Sequence, residues 1–93
     1  MNMKPVIQII SVRLGRNSNW LQFQAFIPHL DLNKKYTLDF CRTELLTSAS
    51  ISDETIEDLR KCLCKKFVHM PFDIKKCKDI LGKNGLTYPF DFE

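Results

Sequence analysis

No apolar run in these 93 residues approaches the roughly 20 residues that a bilayer-spanning helix needs, so no membrane span and no membrane partner are expected. The opening stretch MNMKPVIQIISVRLG carries one lysine before an apolar run that Gln8, Ser11 and Arg13 interrupt, and it has no small-residue cleavage site. It reads as the start of the fold and not as a signal peptide. Internal repeats, linkers and low-complexity segments are missing as well. That leaves a single small α+β domain over residues 1–93, near the lower end of the size that folds unaided. No catalytic or cofactor motif is present, so the chain is expected to be neither an enzyme nor a cofactor carrier.

Cysteine is present without a framework. Cys41, Cys62, Cys64 and Cys77 are even in number, but they fall on regular elements of a chain that is 44% hydrophobic. Free thiols in a reducing, cytoplasmic setting are expected. Cys62, Cys64, His69 and Cys77 invite a zinc reading. Within a helix, however, Cys62 and Cys64 point roughly 200° apart and do not converge on a tetrahedral ion. No metal site is expected. Cys–His nucleophilic catalysis fails in a similar way, because no spacing motif joins the two residue types.

What is present begins with the helix Ser52–Phe67, SDETIEDLRKCLCKKF. Ser52 offers a hydroxyl to the first unpaired backbone N–H groups. Ile51 and Ile56 occupy the positions of a hydrophobic staple. Asp53 and Glu54 open the helix, and Lys65 and Lys66 close it, both in the sense the helix dipole favours. Ile56, Leu59, Leu63 and Phe67 form one stripe, which must lie on the sheet that precedes it.

Val6–Leu14 reads as a strand with Ile10, Val12 and Leu14 on one face and Ile7 and Ile9 on the other. Gly15–Asn19 fits a hairpin loop. Trp20–Ile27 alternates: Leu21, Phe23, Ala25 and Ile27 face one way, and Trp20, Gln22, Gln24 and Phe26 the other. Pro28 ends that strand and HLDLNKK connects to a third, Tyr36 to about Leu46. The apolar phase of this third strand breaks after Phe40, which predicts a bulge, a bend or an early end near Cys41. Pro71 stops the first helix by about His69. Asp73 caps a second, whose stripe is Ile74, Cys77, Ile80 and Leu81, and Gly82 or Gly85 ends it. LTYPFDFE is extended, and Pro89 limits it to an edge strand. The expected fold is α+β: a three-stranded antiparallel sheet followed by two helices packed on one face, β-β-β-α-α, with the tail as a candidate edge strand.

Charge is segregated. Residues 1–52 carry a net +3, residues 53–58 carry −4, residues 59–83 carry +6 and residues 84–93 carry −2, within an overall +3. The basic block Arg60, Lys61, Lys65, Lys66, Lys75, Lys76, Lys78 and Lys83 is a candidate phosphate-binding surface, with a solvated helical face as the plainer reading. Lysine outnumbers arginine there, which speaks against base-specific readout. A small basic ribonuclease built on His29, Arg13, Arg42 and Glu44 is a third reading.

The face carrying Trp20, Gln22, Gln24 and Phe26, with the tail residues Tyr88, Phe90 and Phe92, points to protein contact, because aromatics bury large area at little entropic cost. The expectation is a non-enzymatic regulatory or inhibitor-type binding protein with a protein partner. A second copy of the chain counts among the admissible partners, and nucleic-acid binding is the alternative. The run IPHLDLNKKYTLDF is similar in rhythm to swapped-hairpin transcription regulators, a loop followed by an alternating strand. It lacks their Gly-Asp turn, and no function is carried across.

Overall fold

Alternating apolar side chains build the first half of the chain into four strands. In the computed structural model, which describes residues 4–89, these are β1 (Ile7–Leu14), β2 (Leu21–Ile27), β3 (Asp31–Phe40) and β4 (Leu45–Thr47). Two helices follow, α1 (Asp53–Lys66) and α2 (Ile74–Leu81), and then β5 (Leu86–Tyr88). All pairings are antiparallel and the sheet order is β4-β3-β2-β1-β5. The expected α+β class holds, the tail takes the edge position for which it was a candidate, and the sheet gains one further strand, β4.

The added β4 and the docking of the tail both have local causes. After Phe40, Cys41 and Glu44 exchange backbone hydrogen bonds of 2.9 and 3.4 Å across a tight turn, so the expected third strand ends early and returns as β4. The tail closes the other edge, with Ile7 opposite Tyr88 and Ile9 opposite Leu86. Gly85, at φ 71°, makes this possible: an added Cβ would collide with the Ile9 carbonyl oxygen, and an L side chain rarely adopts that φ. β3 also begins earlier than expected, at Asp31, and its register against β2 slips between Phe26 and Ile27. Leu32, 72% exposed, sits in the resulting excursion.

β1 corrects the expected phase. Its register against β2 shifts between Ile9 and Ser11, leaving Ile10 as an extra residue. A bulge inserts one residue and so inverts every side chain beyond it. Ile7, Ile9 and Val12 thus share the buried face, and β1 is not apolar on both sides.

The helices cover that face alone. Ser52 Oγ accepts from the Thr55 N–H at 3.1 Å and caps α1, and Asp73 caps α2 through the Lys75 and Lys76 N–H groups. Leu59, Leu63 and Phe67 are buried, with the Phe67 ring 5.3 Å from that of Phe23. Ile56 lies half-buried at the margin of the same core. α2 packs along β1. Phe72, in the link between the helices, is buried against Phe40 and donates its N–H to the Ser18 carbonyl in the β1–β2 loop at 2.8 Å. α1 is strapped on both sides. Asp58 accepts from the Tyr88 hydroxyl in β5 at 2.5 Å, and the Arg60 guanidinium donates to the Arg42 carbonyl in the β3–β4 turn.

Candidate functional site

Strand β2 runs through the middle of the sheet and divides its side chains cleanly. Leu21, Phe23, Ala25 and Ile27 are fully buried under the helices. Gln22, Gln24 and Phe26 point to the opposite face, which no described element covers; Trp20, the residue before β2, follows the same alternation through its backbone pairing with Gly15, and all four are half-buried. Their cover comes from cross-strand neighbours. Gln22 lies between Arg13 and Asp39, Gln24 between Ser11 and Thr37, and Phe26 between Gln8 and Lys35.

The centre of this open face is a hydrogen-bonded row. Arg13 Nε donates to Gln22 Oε1 at 2.5 Å, and Gln22 Nε2 donates to Asp39 Oδ1 at 3.2 Å. Ser11, Val12, Arg13, Gln22 and Gln24 line a hollow of about 230 Å³ beside that row. At one end, the Trp20 backbone pairs with Gly15, whose N–H donates to the Trp20 carbonyl at 2.8 Å. A Cβ on Gly15 would lie 2.9 Å from the Trp20 Cβ, so glycine leaves room for the indole. The Arg16 guanidinium lies 4.5 Å from the indole centre, within the range of a cation–π contact.

Trp20 and Phe26 share this face but are not neighbours. Six residues of strand, roughly 20 Å, separate them. The aromatics bracket the amides; they do not form one apolar cluster.

The tail residues divide. Tyr88 is fully buried in the core and takes no part in a surface. Phe90 and Phe92 lie outside the described residues. Burial pushes the Tyr88 hydroxyl above its ordinary pKa, and its bond to Asp58 adds to the shift. The same bond, together with the Lys4 ammonium at 2.9 Å, holds the Asp58 carboxyl below its ordinary pKa. Tyr88 is a core clasp between β5 and α1. No spacing in the sequence marks it, because its partner Asp58 is 30 residues away.

The basic block lies on the helix layer, on the other side of the molecule. Arg60 is turned inward, paired with Glu57 at 2.6 Å and bonded to the Arg42 carbonyl. Lys61, Lys65, Lys75, Lys76, Lys78 and Lys83 are exposed, and Lys66 is half-buried.

The ribonuclease set is not brought together. His29 is in the β2–β3 turn, in a separate hollow with Lys4, Pro5, Val6 and Pro28. Arg42 and Glu44 lie in the β3–β4 turn, beyond the Leu21–Phe40 pair at the other end of β2. The length of that strand keeps the histidine roughly 20 Å from both.

All four cysteines are free thiols. Burial raises the pKa of Cys62 and of Cys77, which disfavours the nucleophilic thiolate. Among the described residues, no three His, Cys, Asp or Glu side chains are grouped to hold a metal ion. No helix of the described residues is long and apolar enough to cross a membrane.

Reading the sequence alone finds the β2 face but misses its flanks. Arg13 and Asp39 join it through cross-strand register, Arg13 only because of the Ile10 bulge, and Arg16 joins it from the β1–β2 loop by lying over the Trp20 ring. No protein-family model, curated protein or solved structure matches the chain.

Proposed function

We propose that this chain is a small non-enzymatic binding protein, of regulatory or inhibitor type, that takes a protein partner on the open face of the sheet and works in a reducing, cytoplasmic compartment. The observation that carries this reading is the pair of half-buried aromatics, Trp20 and Phe26, bracketing two half-buried amides on a face that no described element covers. An antiparallel sheet ordinarily turns a plainly polar face to water. Aromatic side chains with polar neighbours are the composition of an interface centre and its rim. The distance of His29 from Arg42 and Glu44 supports the non-enzymatic part. The test is capture from the host lysate on the immobilised chain, with and without nuclease, repeated with Trp20→Ala and Phe26→Ala. A stoichiometric protein that survives nuclease and is lost with the variants supports the reading. A protein retained equally by all three chains refutes the assignment of this face.

One observation favours a second reading, nucleic-acid binding through the helices. Lys75 and Lys76 are exposed in the first turn of α2, which contains no acidic residue. Cations there oppose the helix dipole, so they cost stability where acids would add it. Phosphate binding is a use that would offset that cost.

A further inference from the structure

The open face is charged as well as aromatic, and its charge is one-sided. Arg13, Arg16 and Lys35 flank the β2 residues on that face, and the carboxylate paired across β2 from Arg13 is Asp39, which accepts from Gln22. The four acids of residues 53–58 belong to α1, on the far side of the sheet. Asp39 keeps its charge while it accepts from Gln22, so these four groups leave the open face net positive, three cations against one carboxylate.

Arg13 is the best placed of the three cations. Its Nε is fixed by Gln22 Oε1 at 2.5 Å, which orients the guanidinium without using its two terminal nitrogens. It lines the 230 Å³ hollow together with Ser11, Gln22 and Gln24, which add a hydroxyl and two amides. A guanidinium held by one edge, with a second edge open, is set up for a two-point bond to a carboxylate.

Resting on the proposed protein-binding role of this face, we infer that the hollow beside Arg13 receives an acidic side chain, Asp or Glu, of the protein partner, with apolar groups on either side of it meeting Trp20 and Phe26. Two other occupants fit less well. A second copy docking this face on itself would set three cations against the same three, and one docking head-to-tail through the acids of α1 would leave no closed dimer. A single-stranded nucleic acid asks for a row of cations tracking its backbone and for ring faces open to stacking. Here a single guanidinium, exposed and held at one edge by Gln22, occupies the centre, Lys35 and Arg16 lie toward opposite ends, and Arg16 covers a face of the indole.

A random linear peptide display library panned on the immobilised full chain supplies the probe. Recovered peptides are expected to carry an Asp or Glu between apolar residues. A synthetic copy should lose on the order of tenfold or more in affinity with Arg13→Glu, and similarly when its own acid becomes the amide. Arg13→Lys should fall between, and a peptide with Lys in place of its acid should regain affinity for Arg13→Glu. Unchanged thermal melting of both variants shows that folding is intact. Peptides without an acid that still require Trp20 and ignore Arg13→Glu overturn this inference and leave the proposed interface standing. Peptides indifferent to both Trp20→Ala and Arg13→Glu remove both. Displacement of the peptide by oligo-dT, with a steep salt dependence, identifies the anion as phosphate and overturns the carboxylate assignment.

Discussion

The two faces of one sheet, read along the single strand β2, differ in what covers them. On the helix side, Leu21, Phe23, Ala25 and Ile27 are completely buried, and the cover is other secondary structure. On the open side, Gln22, Gln24 and Phe26 are half-buried among the side chains of β1 and β3, and Trp20 is half-buried beside Gly15 and Arg16 of the β1–β2 loop. The helix side is held by apolar packing, with the Tyr88 hydroxyl bonded to Asp58 at its edge. It has no buried polar or charged residue, and no buried side-chain nitrogen or oxygen lacks a partner among the described residues. The open side uses groups with an apolar body and a polar end, which remain tolerable in water and lose little when a partner arrives. Stability resides on one side, and the proposed capacity for contact on the other.

The largest test of this division is Leu63→Ala. Leu63 is fully buried under α1, so truncation should cost about 2–5 kcal/mol in urea unfolding, a large share of a small domain's stability. A loss of only a few tenths would mean that the helix side does not hold the fold. Trp20→Ala should give the reverse pattern. It should cost about 2 kcal/mol or more in partner binding, read by calorimetry, and move the unfolding midpoint far less. Lost stability with intact binding would make Trp20 a core residue and move the interface elsewhere.

Tyr88→Phe probes the clasp at the sheet edge. Loss of its hydroxyl should cost about 0.5–1.5 kcal/mol near neutral pH. The Asp58 carboxyl is held below its unfolded value, first by the Tyr88 hydroxyl and then by Lys4. Its stabilising contribution is therefore complete above the ordinary aspartate range near about 3.9 and is lost as pH falls through the lower, folded value. Tyr88→Phe should flatten that acid-side loss, visible as a smaller difference in melting temperature between neutral and acid pH. An unchanged acid slope would mean the carboxylate does not depend on the tyrosine.

The smallest effect carries the opposite sign. Lys75→Glu with Lys76→Glu should raise stability by roughly 0.3–1 kcal/mol, because acids suit the N-terminal turn of α2. If the helix layer binds nucleic acid, the same change should abolish retention of an oligonucleotide. Oligonucleotide binding that persists would take the helices out of that role.

Most of the covered face was legible in the sequence. Ser52 and Asp73 cap the helices they were expected to cap, and the stripe Leu59, Leu63 and Phe67 meets the β2 residues that alternation assigned to it. These features are local, because capping and periodicity act within a few residues. The candidate face was half legible. Alternation in β2 yields Trp20, Gln22, Gln24 and Phe26, but their distances, and their neighbours Arg13 and Asp39, depend on pairing. The Ile10 bulge was hidden because IQIISV alternates acceptably in either phase, and only pairing with β2 and β5 decides which residue is extra.

By itself, the order of residues determined the α+β class, the two helices with their caps, the division of β2 into an apolar and a mixed face, and the segregation of charge along the chain. Each of these follows from periods of two or 3.6 and from backbone chemistry that extends no further than one turn. Tertiary structure decided where the bulge falls, that Tyr88 leaves the tail for the core, that Arg60 turns inward to the Arg42 carbonyl, and that Arg13 stands beside Gln22 on the open face. The hydrogen bonds among those outcomes join residues 9 to 30 positions apart and the β1–β5 pairing reaches further still, and burial and hydrogen-bond satisfaction across the whole domain select among registers that local sequence leaves nearly equal in energy.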